Sequence, residues 1–401
     1  MHLTHLSLTQ FRAYTRLDLD VPRRNILVVG DNAQGKTTIL EAIYFFAAFT
    51  SFHTSSDRQL LNFYAAQEPL AVARLVADFD RSGKHHRMEV RLIQEPVGPA
   101  GSRMRKEILV DGVKRSAQDA LGLFNAVIFL PQMMVIIDGG PDERRRYLNI
   151  AISQAMPGYA RALSEYHQAL IQRNALLKQL SERGGAGDQL IYWDEILAER
   201  GSQIIHARIA AIQEIEMLAA EYHEKLTRLE EILRLVYKPA YDPVRPVNGQ
   251  ISLPIQTTIQ RDGIPMGQIR EGFLEQLKVL RSEEIRRGMT TIGPHRDEMR
   301  FLSNGRDLSD FGSRGQIRTA LLALKLAEVK WLKQRTGQNP VLLLDEILAE
   351  LDVRRRLDLL ETLGEVDQAM FTTTDLNLFD PSFVKQCSIW VVADGQVNQE
   401  T

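Results

Sequence analysis

Gly30-Asp31-Asn32-Ala33-Gln34-Gly35-Lys36-Thr37, followed by Thr38, stands between an apolar run, Asn25 to Val29, and a segment of helical period, Thr37 to Phe49. The pattern is G-x-x-x-x-G-K-[ST] in a strand-loop-helix setting. Its glycines let the backbone close around phosphate oxygens, and successive N–H groups at a helix start supply an anion site. Gly30 to Thr38 are therefore the candidate phosphate-binding loop of a nucleotide site. Lys36 is expected to contact the β- and γ-phosphates, and the Thr37 hydroxyl to hold Mg2+.

Such a loop binds nucleotide; hydrolysis needs acids as well. Val341 to Glu346 (VLLLDE) is an apolar run that ends in two carboxylates. Asp345 is expected to accept from a Mg2+-bound water, and Glu346 to orient or deprotonate the attacking water. Lys36 and Asp345 stand 309 positions apart, yet one Mg2+ must serve both, so the helical stretch between them has to be an insertion. The expected fold is an α/β ATPase head, residues 1–135 and 288–401, with mixed layers around a largely parallel core sheet. A helical arm, residues 136–287, is inserted in it.

Alternation from Leu3 to Asp20 predicts a hairpin, and alternation over residues 71–115 an antiparallel sheet. In the arm, helical periods run from Glu143 to near Leu180 and from Gln189 to near Leu235, with Gly184, Gly185 and Gly187 between them. The heptads are irregular, which favours a compact helical arm over a long coiled coil. Pro239 to Pro254 reads as a connector and Ile269 to Arg287 as a helix. Beyond them come a helix from Gly315 to Gln334, a strand from Pro340 to Leu344, a helix from Val353 to Leu363 and a strand from Ala369 to Thr373.

At 401 residues and 44% hydrophobic content the chain can bury real cores. One cysteine, Cys387, excludes an internal disulfide and a cysteine-built zinc site. The N-terminal alternation lacks the apolar core of a signal peptide, and no run reaches membrane-span length, so a cytoplasmic protein is expected. A formal charge of −2 works against a simple basic nucleic-acid binder. Any such surface must be local: Arg81 to Arg87, Arg103 to Lys106, Lys114 with Arg115, or Arg144 to Arg146. Charged runs are more often solvated faces.

Ser313-Arg314-Gly315-Gln316 sits directly before a helix, as a cap or as a second phosphate-reading helix start. Glu350-Leu351-Asp352 follows the two acids, and Thr372 to Asp375 closes the next strand, where a side chain can sense a γ-phosphate. His295 in "GPHRDE" reads as a structural turn, and Trp193 and Trp331 as core.

The stretches "FRAY", "GDNAQGKTTILEAI", "QRNALLK", "TIGPHRDEM", "SRGQIRTALLALKLAE", "VLLLDEILAELD" and "TTTDL" run in order from Phe11 to Leu376. They resemble the RecF family of DNA replication and repair proteins, which is similar to SMC-type heads of the ABC ATPase class. The resemblance implies ATP and Mg2+ as cofactors and an ATP-dependent homodimer, with each nucleotide held between one subunit's loop and its partner's signature. Ser313, Gly315 and Gln316 would complete the partner's site, and Asp352 would lie at the dimer seam. Thr374 would occupy the position where ABC proteins often carry a switch histidine, and Arg12 and Asn32 would lie near the phosphates. Gln132, in "FLPQMM", would be a Q-loop residue with a catalytic and metal-binding role. His53 stands where an arginine is usual, Ile317 replaces a frequent glutamine, and Glu346 a frequent aspartate.

The resemblance further implies a slow, DNA-dependent ATPase of recombinational repair, replication and the SOS response to DNA damage. It would close on double-stranded or gapped DNA and help load a recombinase, with RecR, RecO and RecA-type partners. A second reading is a DNA clamp in which ATP is structural glue. A transporter's ATP-binding subunit is opposed by the long insertion.

Overall fold

The computed structural model describes residues 1–54, 56–97, 101–244, 261–352, 354–356, 359–360 and 366–400. The chain divides into two units, Met1–Met133 with Glu328–Thr401, and Met134–Ala327. Among the described residues no helix is long and apolar enough to cross a membrane.

The first unit holds two six-stranded sheets. One is antiparallel, in the order β2-β1-β4-β5-β6-β7, from β1 (His2–Phe11), β2 (Tyr14–Asp20), β4 (Ala71–Arg81), β5 (Lys84–Val97), β6 (Gly101–Val110) and β7 (Val113–Arg115). Leu3, Leu6, Leu8 and Phe11 of β1 are buried while residues between them stay partly exposed, as expected for a sheet with one wet face. The other sheet runs β15-β14-β3-β13-β12-β8, from β3 (Ile26–Val29), β8 (Ala126–Phe129), β12 (Val341–Asp345), β13 (Ala369–Thr373), β14 (Ser388–Ala393) and β15 (Gln396–Glu400). Only β15 is antiparallel to its neighbour. β12 and β13 are buried at every position, so both faces are covered and the strands read as unbroken apolar runs.

Helix α1 (Lys36–Ala48) packs on β8, β12 and β13. The short helices α2 (Ala117–Ala120) and α10 (Pro381–Gln386) also belong to this unit. Gln368 ties its two sheets together. The buried amide accepts from the Leu3 N–H at 2.8 Å and donates to the carbonyls of Leu3 and Pro22, both at 3.0 Å. The helix expected from Val353 to Leu363 and the second half of the 239–254 connector lie largely outside the described residues.

The second unit contains α3 (Val135–Asp138), α4 (Pro141–Ala155), α5 (Tyr159–Arg183), α6 (Ile191–Thr227), α7 (Met266–Arg287) and α8 (Leu308–Phe311), and a sheet β11-β10-β9. Its strands are β9 (Leu233–Lys238), β10 (Glu298–Ser303) and β11 (Arg306–Asp307). Helix α9 (Arg314–Thr336) begins here and ends in the first unit. Three differences from the sequence expectation have local causes. The first helical period is broken at Pro157-Gly158, where Gly158 takes φ 85. The second ends at Thr227, and Leu233, Leu235 and Tyr237 alternate as a strand, paired with β10. Residues 288–327, expected with the head, cluster with the helical unit because β10 and β11 extend from β9 and α4 packs on β10.

α5, α6 and α7 pack on one another. Between them Arg173 reaches Asp194 at 2.8 Å and Glu284 at 2.7 Å, all fully buried. Trp331 is core, whereas Trp193 lines a surface groove. His295 sits in a short turn, and its Nδ1 lies 2.7 Å from the Tyr166 hydroxyl of the same unit. Burial, reinforced by Arg296, pushes its pKa down to about 4. The unfolded chain therefore binds the extra proton between about pH 6.5 and pH 4. Stability is full above that window and is lost as pH falls through it, by up to about 1.4 kcal/mol per pH unit from this group. Urea unfolding of His295→Gln is expected to show a shallower slope over that window than the parent chain.

Candidate nucleotide site

The candidate loop leaves the carboxyl end of β3, the place where parallel sheets bind ligands. Ala33 and Gly35 both take the left-handed conformation, φ 65 and φ 105, so the loop curls and turns its N–H groups inward. Gly35 is required twice over. A Cβ on it would stand 2.9 Å from the Tyr14 hydroxyl, which itself donates to the Gly35 carbonyl at 3.2 Å. A Cβ on Gly30 would strike the Val392 carbonyl. No side chain caps α1, whose first turn stays available to an anion. The Gln34 amide oxygen accepts from the Asp394 N–H at 2.7 Å, which anchors the loop to the β14–β15 turn.

Lys36, only 4% exposed, donates to the carbonyls of Gly30 (2.8 Å) and Asp31 (2.9 Å) and lies 3.5 Å from Glu346 Oε1. The Thr37 hydroxyl is 2.9 and 3.0 Å from the two Asp345 oxygens, across 308 positions of sequence. This contact follows from sheet order, because α1 follows β3, Asp345 ends β12, and only β13 lies between those strands. Thr372 on β13 pairs in register with Asp345. Its hydroxyl donates to Asp345 Oδ1 at 2.7 Å and accepts from the Glu346 N–H at 3.0 Å. Glu346 itself sits at φ 50, a conformation uncommon for a residue with a side chain. Tyr14 and Thr372 thus position the loop and both acids. The sequence placed Thr372 in the strand-end stretch that can sense a γ-phosphate and Tyr14 in the stretch "FRAY", but their positioning contacts depend on which strands and loops lie side by side, as in the register of Thr372 with Asp345.

The Arg12 guanidinium makes a two-pronged bond to buried Glu41 of α1, at 3.0 and 2.8 Å. Among the described hydrogen bonds, Arg12→Ala leaves buried Glu41 with the Ser51 hydroxyl as its remaining side-chain partner. It is expected to destabilise the fold by about 2–3 kcal/mol in urea titration. Gln132, exposed, lies in the turn after β8, at the same sheet edge as Asp345. Among the described hydrogen bonds it makes none with Thr37 or Asp345. Thr374 is exposed, and Asn32 is exposed on the loop. Asp352 Oδ1 accepts from the Arg355 N–H at 2.9 Å, capping the helical residues that follow.

Ser313 and Gln316 form a reciprocal cap on α9. Ser313 Oγ accepts from the Gln316 N–H at 3.2 Å, and Gln316 Oε1 accepts from the Ser313 N–H at 3.0 Å. Gln316 also donates to Glu231 at 2.9 Å. The Ser313 hydroxyl proton is not used in the cap, and Gly315 beside it is exposed.

The family model described as RecF/RecN/SMC N terminal domain matches residues 2–394. A curated relative from Chloroflexus aurantiacus, named DNA replication and repair protein RecF, is 37% identical over 407 residues, covering 99% of each chain. The chain belongs to the RecF family.

An Exiguobacterium relative of the same name is 34% identical and covers 100% of each chain. A solved structure described as the recombination mediator protein RecF-ATP in the RecFOR pathway superposes with a TM-score of 0.82 at 29% identity, covering 100% of this chain and 98% of that one. The Smc head domain of Pyrococcus furiosus, at 16% identity and a TM-score of 0.52, shares the fold. The α/β, SMC-type ATPase head expected from the sequence is thus the fold found.

In this RecF-family chain the basic runs are largely neutralised. Arg81 donates to the carbonyls of Gly122 and Leu123; Arg105 pairs with Glu95 and Glu107, Lys114 with Glu107, and Arg144 with Glu298. On β4 and β5 of the antiparallel sheet, Arg74 and Arg91 hold the Glu89 carboxyl down to about 2. Among the described residues Lys84, Arg103 and Arg115 remain without an ion pair, and they do not form a continuous run.

Proposed function

We propose that this chain binds ATP with Mg2+ and hydrolyses it slowly, in a DNA-dependent manner. ATP closes a homodimer on double-stranded or gapped DNA. The cycle serves recombinational repair and replication in the cytoplasm, helping to load a RecA-type recombinase together with RecR and RecO. The observation that carries this reading is the clasp of the Thr37 hydroxyl by Asp345, with Lys36 beside Glu346. A hydroxyl and a carboxylate are the hard oxygen donors that Mg2+ prefers, and the inward-turned N–H groups of the loop fit a polyphosphate. The relative solved with ATP supports the same ligand.

Thr37 and Asp345 would hold the metal, with Gln132 a further candidate. Mg2+, when bound, neutralises charge developing on the phosphates. Lys36 binds the β- and γ-phosphates, and Gly30 to Thr38 cradle them. Glu346, its main chain fixed through Thr372, orients or deprotonates the attacking water. Ser313, with its free hydroxyl proton, and Gly315 serve the partner's nucleotide, while Gln316 holds them through the cap. Asp352 lies at the seam and Thr374 senses the γ-phosphate. Turnover is slow because the complete site exists only in the dimer.

The test is the molar mass in solution with and without ATP and Mg2+, for the parent chain and Ser313→Arg, read with duplex-DNA binding. An ATP-dependent doubling of mass, lost in Ser313→Arg together with DNA binding, is the expected result. A chain that hydrolyses ATP as a monomer under all conditions would overturn the shared site.

A further inference from the structure

We propose that Thr372 is a positioning residue for ATP hydrolysis, a single hydroxyl that makes the placement of Glu346 depend on that of Asp345. This rests on the reading above that the chain binds ATP with Mg2+, and adds how two acids with different tasks are held as one unit.

Chemistry fixes the direction of the two bonds. A main-chain N–H can only donate, so the Thr372 oxygen accepts from Glu346 at 3.0 Å and its one proton goes to Asp345 Oδ1 at 2.7 Å. Among the described hydrogen bonds the Asp345 carboxylate has one other partner, the Thr37 hydroxyl, which is itself a candidate metal donor. Thr372 therefore holds Asp345 from outside the metal's own donor set, and such outer partners orient a ligating carboxylate and tune its affinity. Glu346 needs holding too. It sits at φ 50 and ψ 14, left-handed backbone that is uncommon for a residue with a Cβ. Its N–H donates to Thr372, and its carbonyl accepts from the Ala349 N–H at 3.2 Å, so the main chain is pinned on both sides while the side chain lies 3.5 Å from Lys36.

Packing alone does not call for a hydroxyl at position 372. The residue is 3% exposed in a strand buried at every position, where valine has nearly the same shape and no polar atom to desolvate. A β-branched side chain on a strand has restricted rotamers, which suits it to aim one oxygen at one point. The neighbouring Thr373, equally buried, uses its hydroxyl within its own turn, donating to the Asp375 carbonyl at 2.9 Å and accepting from the Asp375 N–H at 3.1 Å. Of the two, Thr372 is the one that reaches the adjacent strand, and it does so at the two acids.

The experiment titrates ATP into the full chain by calorimetry over a range of Mg2+ concentrations, including none, and follows phosphate release on the same samples, for the parent, Thr372→Val and Thr372→Ser. In Thr372→Val the Mg2+ concentration that gives half of the gain in ATP affinity is expected to rise about tenfold or more. Turnover at saturating ATP and Mg2+ is expected to stay about tenfold or more below the parent, because Glu346 is displaced as well. ATP affinity without Mg2+ is expected to stay within about threefold of the parent, since the loop N–H groups that meet the phosphates are untouched. Thr372→Ser keeps the hydroxyl and is expected to restore both properties. A Val variant with the parent's Mg2+ dependence, one whose turnover recovers fully at saturating Mg2+, or a Ser variant as impaired as Val overturns the proposal. A Val variant that also loses ATP binding without Mg2+ marks a structural role alone and overturns it too. A parent chain whose ATP affinity does not respond to Mg2+ identifies the Mg2+ reading as what failed, and the proposal falls with it.

Discussion

Glu346→Gln is expected to lower ATP hydrolysis by at least about 100-fold while the ATP-dependent doubling of mass is retained. The substitution keeps the size and polarity of the side chain and removes its capacity to take a proton. Lys36, 3.5 Å away, keeps its bonds to the Gly30 and Asp31 carbonyls, so the loop has no reason to rearrange. The Glu346 N–H to Thr372 bond is a main-chain contact and also survives. Phosphate release and light scattering on the same sample separate the two effects. An unchanged hydrolysis rate would remove Glu346 from the chemistry. A lost rate with DNA binding and repair both preserved would favour the clamp in which ATP is structural glue.

Lys36→Met is expected to weaken ATP binding by about 100-fold and to abolish the mass doubling with it. Methionine fills similar space in the buried slot but carries no charge, and charge-assisted bonds to phosphate are the strong ones. The Thr37–Asp345 clasp is left intact, so residual Mg2+-dependent binding separates the role of the lysine from that of the metal donors. Calorimetric titration with ATP is the measurement, and an affinity within about threefold of the parent would mean that the loop N–H groups alone suffice for phosphate binding.

Much of the head was legible because its requirements are local. Glycines at Gly30 and Gly35 mark close backbone approaches and a left-handed residue, which are properties of two or three consecutive positions. The apolar runs of β12 and β13 announce strands covered on both faces, and the acids at the end of β12 stand where such strands meet ligand. The long-range motif order, Phe11 to Leu376, identified the family. The Arg12–Glu41 bond was not legible, because Glu41 is an acid inside an apolar helix that has no meaning until the helix packs.

By itself the sequence determined the family and marked the candidate phosphate loop, the two candidate acids and the long helices, because each is written in consecutive residues or in a short period. Only the tertiary structure decided that Thr372 would hold both acids, that Tyr14 would buttress Gly35, and that residues 233–238 would leave the helical period to pair with residues 298–303. It also decided that Arg105, Lys114 and Arg144 of the basic runs would pair with nearby carboxylates. The reason is the same in each case. A hydrogen bond or ion pair between strands depends on which strand lies beside which and in what register, and that order is set by the packing of whole sheets, which no local window of residues contains.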